Sequence, residues 1–286
     1  MSQQRIDVEG VLSTLREKGI IEDNAKVMGT MSGTTDGLVY TLAVHEEPKY
    51  IFKIDHKESI RVVSKLHQAY INSPLLPKLI YRDPVHDFIV YTYVAGTTHY
   101  NRGAKKEWLS RLVQDLLNHY SISHDTDKWG RLERLRDSWR EFNERSLEGA
   151  RMNLGDLLPN EDYERVKSLL DSVSQVDGKY LLHGDTGVHN FVYRDNEIVG
   201  VIDPSPMVGP VIYDYTYAYC SSPDDLDLET LLTTYDLLDH SSIDKSRLID
   251  NVIFQLYCRI GICAKVHPHD LSDYLHAWEY WRGYLN

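Results

Sequence analysis

Five short runs rich in β-branched and aromatic residues are confined to the first hundred positions, with a single helical run among them. The runs cover 25–31 (AKVMGTM), 38–45 (LVYTLAVH), 49–55 (KYIFKID), 78–83 (KLIYRD) and 87–94 (DFIVYTYV). Breaks of Gly, Asp, Thr, Glu and Pro separate them, which is the pattern of a strand meander. After the third run, Ile60, Val63, Leu66 and Ala69 or Tyr70 recur at helical spacing, which predicts a helix over 57–70. Another is predicted over 7–18, where Val8, Val11, Leu12 and Leu15 share a face. The expectation is a five-stranded antiparallel sheet with one inserted helix.

After Gly96 the balance tips to helix. Apolar residues fall on one face over 105–119, over 129–147 (Leu132, Leu135, Trp139, Phe142) and over 161–174, and again near 226–239, 243–266 and 270–285. A strand patch interrupts at 179–183, 190–194 and 197–203. The segment 95–103 (AGTTHYNRG) is short and rich in small or polar residues, as a junction between lobes is. The chain of 286 residues is therefore expected to form two domains, 1–94 and 95–286, of α+β class.

The net charge of −12 argues against non-specific binding to nucleic acid, which rests on Lys and Arg facing phosphate. The three cysteines, Cys220, Cys258 and Cys263, give no paired spacing, which points to a reducing compartment without a disulfide framework. No convincing zinc-ligand set, membrane-length apolar run or signal-peptide core is seen. These readings predict a cytoplasmic protein with no nucleic-acid or membrane partner. The acidic run PDDLDLE (223–229) reads as a cap region at a helix N-terminus. His267, His269 and His276 show no metal spacing.

The chemistry-bearing stretch is HGDTGVHNF (183–191). A strand leads into Asp185, a second begins at Asn190, and the strand EIVGVID ends on Asp203. Three oxygen-bearing side chains thus sit at the mouths of adjacent short strands, where a rigid scaffold often presents catalytic groups. Asn190 and Asp203 are hard oxygen donors that suit Mg²⁺. Asp185 is placed to accept a proton from a hydroxyl. Lys53, between Phe52 and Ile54 in a predicted strand, faces away from both. It points to solvent or into a cleft, and Glu58 opens the next helix within reach of it. The turn 31–37 (MSGTTDG) carries small residues whose N–H groups can lie over phosphates.

The ordered set H-G-D-x-x-x-x-N, then I-D after a short hairpin, then GPVIYD, resembles the aminoglycoside phosphotransferase and choline kinase family. The resemblance runs over most of the chain, although beyond 220 only the helical character matches. It implies a protein-kinase-like bilobal fold and a small-molecule kinase using ATP (or GTP) and Mg²⁺ to phosphorylate a hydroxyl-bearing acceptor, and the acidic balance of the chain favours a cationic one. It also implies roles. Asp185 is the catalytic aspartate, and Asn190 and Asp203 hold the metal. Lys53, held by Glu58, binds phosphates together with the turn of Ser32, Gly33 and Thr34. The backbone of Thr92 and Val94 faces the adenine, while His183 and Asp214 brace the loops. Two departures stand out: Asp36 replaces a neutral residue in that turn, and Glu58 follows Lys53 by only five positions. A protein kinase fits less well, since His-Gly-Asp and VIDPS replace His-Arg-Asp and Asp-Phe-Gly. A kinase-fold binding protein without catalysis is the alternative from another class.

Overall fold

In a computed structural model the described residues are 7–31, 37–85, 87–240 and 242–285. They fall into two compact units. One comprises the chain up to Ile71 with Pro77–Ala95, the other Asn72–Leu76 with the chain from Gly96 onward.

The first unit contains α1 (Val8–Glu17), β1 (Lys26–Met31), β2 (Leu38–Val44), β3 (Glu47–Ile54), α2 (Lys57–Ala69), β4 (Leu79–Arg82) and β5 (Phe88–Thr92). The five strands form one antiparallel sheet in the order β1-β2-β3-β5-β4. Asp7 starts α1 by accepting a hydrogen bond from the Gly10 amide at 3.2 Å, which satisfies one orphan N–H of the first turn. The apolar stripe of α1 then buries Leu12 and Leu15 against Leu42, Tyr50, Phe52 and Val90. Each such leucine contributes about 1.5–3 kcal/mol by leaving water. The opposite face of the sheet receives α2, where Ile60 and Val63 meet Ile89. The alternation of β-strand side chains thus gives each helix its own face.

The second unit begins with α3 (Lys105–Asp115), a short turn at Leu117–His119 and β6 (Gly130–Arg131), followed by α4 (Trp139–Leu154), α5 (Asn160–Ser168) and α6 (Leu170–Val173). The strand patch follows: β7 (Tyr180–Leu182), β8 (Phe191–Arg194), β9 (Glu197–Val201) and β10 (Met207–Gly209). The chain finishes with α7 (Val211–Tyr219), α8 (Leu228–Tyr235), α9 (Lys245–Val266) and α10 (Leu271–Arg282). The strands make a three-stranded sheet, β6-β10-β7, and a hairpin, β8-β9.

The expected helix over 129–147 is corrected. Gly130 and Arg131 form a strand, Trp129 bridges Arg136, and the helix starts at Trp139. Ser138 sets that start by accepting from the Glu141 amide at 3.0 Å. The helix then runs on to Leu154. Helix α7 and strands β6 and β10 were not foreseen.

The core of this unit forms around α9, which packs against α4, α6, α7 and α10. At Gly261 the backbones of α9 and α4 approach so closely that a Cβ would lie 2.7 Å from Ala150 Cα. Buried Asp162 on α5 accepts from Trp278 Nε1 at 2.9 Å and Arg282 Nε at 2.8 Å, tying α5 to α10. Cys220, Cys258 and Cys263 are free and buried, and burial raises all three thiols, the first two to about 12.

Candidate active site

Strand β7 delivers His183–Asp185, and β10 fixes where that segment lies. Met207 pairs with Leu182 on one side and with Arg131 on the other, so three strands bring these residues into one line. At Gly184 φ is +81°, and a Cβ would sit 2.1 Å from the Ser205 carbonyl. Only glycine tolerates both the backbone angle and the contact. The Ser205 amide donates to the His183 carbonyl at 3.0 Å, and the Ile202 amide to the Asn190 carbonyl at 2.9 Å. These bonds place the Asp203 loop beside the 183–190 loop at two points. Asp203 itself adopts a left-handed backbone, φ 51°, uncommon for a residue other than glycine and found often at functional positions.

Within the 183–190 loop, Asn190 is 5 % exposed. Its Nδ2 donates to the Asp185 carbonyl at 3.0 Å and to Asp185 Oδ2 at 2.9 Å. The amide nitrogen is committed to Asp185, which leaves Oδ1 as an oxygen donor. With the Asp203 carboxylate on the adjoining loop, this is a hard-oxygen set that fits Mg²⁺. No cluster of three or more His, Cys, Asp or Glu suited to a metal occurs among the described residues.

Asp185 Oδ2 also lies 3.3 Å from His189 Nε2. Burial acts to raise the Asp185 pKa. The hydrogen bond and charge of His189, the Tyr217 hydroxyl and the Arg131 guanidinium outweigh it and hold the carboxyl well below the usual range. Asp185 is thus a carboxylate near neutrality, suited to orient a hydroxyl and take its proton late. His183 is fully buried; its N–H lies 3.1 Å from the Tyr120 hydroxyl, and its Nδ1 accepts from the Asp185 amide at 3.3 Å. Asp214, also fully buried, accepts from the Gly184 amide at 3.1 Å and from the Tyr120 hydroxyl at 2.7 Å. Burial lifts it to about 6 against those two donors. His183 and Asp214 are thus each hydrogen-bonded to the backbone of the loop that carries Asp185.

In the first unit, Lys53 pairs with Val39 and Ile89 across the sheet and lies on the α2 face. It is 6 % exposed, and the Asp55 carboxylate is 3.6 Å from its Nζ. Asp55 was not considered from sequence. Glu58 accepts from Arg61 Nε at 2.9 Å and Nη2 at 2.5 Å. The Thr92 amide donates to the Lys78 carbonyl, and its hydroxyl accepts from the Lys78 amide, both at 2.9 Å. Thr92 therefore has no free N–H for a ligand, while Val94 lies past the end of β5. Ser32, Gly33, Thr34 and Asp36 lie outside the described residues.

A cleft of about 1310 Å³ opens in the second unit beside the 183–190 loop, with Val188 and His189 in its wall. Five aspartates line it: Asp224, Asp225, Asp227, Asp270 and Asp273. Asp227 caps α8 through the Thr230 amide at 2.8 Å, as the acidic run predicted. Asp224 meets Arg102 at 3.2 Å, and Asp225 accepts from the Lys105 amide at 3.3 Å. His99, His267, His269 and His276, scattered in sequence, join His189 around the cleft. His99 and His267 are held below the usual imidazole value, first by burial and then by neighbouring cationic groups. Beneath the cleft wall, buried Lys105 donates to the carbonyls of Tyr219 at 3.0 Å and Ser222 at 2.9 Å. Burial lowers this lysine to about 8, so it remains an ammonium at neutral pH.

The profile of the phosphotransferase enzyme family matches residues 36–244, more than half of the chain. No curated protein matches. Solved structures share the fold over nearly the whole chain. An ADP-bound aminoglycoside phosphotransferase, APH(2'')-Ib, is 18% identical with a TM-score of 0.57, covering 96% of this chain and 97% of that one. Choline kinase from Cryptosporidium parvum is 13% identical with a TM-score of 0.57, covering 98% and 94%. Macrolide 2'-phosphotransferase MphH from Brachybacterium faecium is 13% identical with a TM-score of 0.59, covering 98% of each chain.

Proposed function

Because this chain belongs to the phosphotransferase enzyme family, we propose that it is a small-molecule kinase. It transfers the γ-phosphate of ATP to a hydroxyl of an acceptor bound in the Asp-lined cleft. The observation that carries this reading is the joining of three groups in one unit. Asn190 is hydrogen-bonded to Asp185, the Asp203 loop is bonded to both segments, and His189 links Asp185 to the cleft wall. ATP is preferred to GTP as donor because fold neighbours, the aminoglycoside phosphotransferase among them, hold ADP.

In this reading Asn190 and Asp203 hold Mg²⁺, which when bound neutralises charge on the phosphates. Lys53 binds the nucleotide's phosphates as a fixed cation. Asp185 orients the acceptor hydroxyl and accepts its proton as the phosphoryl group leaves the nucleotide. The reaction is mostly positioning and electrostatics, so few side chains suffice. Five aspartates against two arginines in the cleft, Arg102 and Arg259, favour a cationic acceptor such as an amino sugar or amino alcohol.

The test is ADP release across a panel of hydroxylated amines, neutral sugars and hydroxy acids. Asp185→Ala should lower kcat by about a hundredfold or more, the scale of a lost general base. Undiminished turnover in that variant removes the mechanism. Asp273→Asn should raise KM for a cationic acceptor by about tenfold, the scale of one charge-assisted hydrogen bond. A preference for hydroxy acids would overturn the acceptor class.

A further inference from the structure

The loop that carries Asp185 and the Asp203 loop meet at a cation, Arg131. Arg131 Nη1 lies 3.2 Å from the Gly184 carbonyl and 3.2 Å from the Ser205 carbonyl. One nitrogen therefore joins the residue before Asp185 to the residue two after Asp203. The strand of Arg131 is fixed independently by pairing with β10, so the contact is not an accident of a loose side chain.

On the reading of the site given above, we propose that Arg131 is a positioning residue of the phosphoryl-transfer centre. It sets the spacing between the loop that presents Asp185 and Asn190 and the loop that presents Asp203. Two backbone bonds, Ser205 to His183 and Ile202 to Asn190, join the same loops. A monopole shared by two carbonyls resists their separation more strongly than a neutral hydrogen bond. Arg131 touches no reacting atom in this scheme; it acts through Asp185 and Asp203. Its access is unusual for such a group. Arg131 and Tyr217 line a separate cavity of about 280 Å³, together with Arg145, Asn153 and Gln255. A small cation can therefore reach the place of the guanidinium when the side chain is cut back.

Arg131→Ala, Arg131→Lys and Asp185→Ala are compared with the wild type for ADP release from MgATP, with water as acceptor. Hydrogen exchange is measured in parallel on peptides covering 183–190, 202–207 and α9. Arg131→Ala should lower kcat by roughly 10–100-fold, the range for groups that orient a centre from behind, with KM for ATP within about twofold. Millimolar methylguanidinium should restore part of kcat in Arg131→Ala and none in Asp185→Ala, and Arg131→Lys should fall between. Exchange should quicken in both loops and stay unchanged in α9. The proposal is overturned if kcat stays within about twofold of wild type. It is equally overturned if both loops keep wild-type exchange, or if α9 loosens with them. Full turnover by Asp185→Ala would instead remove the reading of the site, and the exchange measurements would still decide whether Arg131 couples the loops.

Discussion

His67 on α2 is 2 % exposed, with Nδ1 3.0 Å from the Pro77 carbonyl and its ring stacked on Tyr91. Burial lowers its pKa to about 4, the Pro77 bond opposes this, and the Lys53 charge adds to it. The folded chain thus binds fewer protons here than the unfolded chain between about pH 4 and 6.5, so stability is present above 6.5 and is lost as pH falls toward 4. Taking the sample from pH 7 to pH 5 should cost about 2 kcal/mol through this residue, with His67→Gln removing that slope in urea titrations. Asp214 carries the opposite sign. Its pKa is raised to about 6, so its contribution is fully present below the unfolded carboxylate value and is lost as pH rises through 6. At this scale the sequence was partly legible. Asp185, Asn190 and Asp203 stand close together along the chain, and their spacing alone brings them to neighbouring strand ends. Arg131 and Asp55 were missed for different reasons. Arg131 is bonded to residues far along the chain, and Asp55 lies two positions from Lys53, whose partner was sought in the following helix instead.

Helix α4 shows how an element can be misread and why. Leu132, Leu135, Trp139 and Phe142 satisfy helical spacing, yet the first two precede the cap at Ser138. The S-x-x-E signature, Ser138 to Glu141, was the stronger local signal because it satisfies backbone donors that periodicity ignores. Strands β6 and β10 are two and three residues long, too short to show alternation. The contact of α4 with α9 makes a paired prediction from one kind of substitution. Gly261→Ala drives a Cβ to 2.7 Å from Ala150 Cα and should destabilise by about 1–2 kcal/mol, overpacking outweighing the gain in helix propensity. Gly149→Ala, on α4 with nothing within 4 Å of the added carbon, should stabilise by about 0.5–1 kcal/mol. Thermal unfolding of the two variants beside the wild type reads both signs.

At the scale of the whole chain, the meander and the helix-rich remainder were read correctly as two kinds of structure, because the period of the apolar residues changes near Gly96. The cleft was not legible. Its wall draws on residues from His99 to Tyr280, which no local pattern connects. Nucleotide binding should be visible in global stability. MgADP at a hundred times its dissociation constant adds about 2.7 kcal/mol to the folded state, enough to raise Tm by several degrees in a chain of this size. Asp203→Asn should abolish the magnesium-dependent part of that shift and leave the smaller shift caused by ADP alone. The buried thiols have a practical consequence. Cys220 and Cys263 are fully buried, Cys258 lines the smaller cavity at 7 % exposure, and burial holds all three protonated, so the native protein should react only slowly with thiol reagents. Tyr100, at the cleft and 73 % exposed, is then a place where one substitution, Tyr100→Cys, creates a single attachment point for a fluorophore. An optical reporter of acceptor binding can be built on the natural sequence without first removing its cysteines.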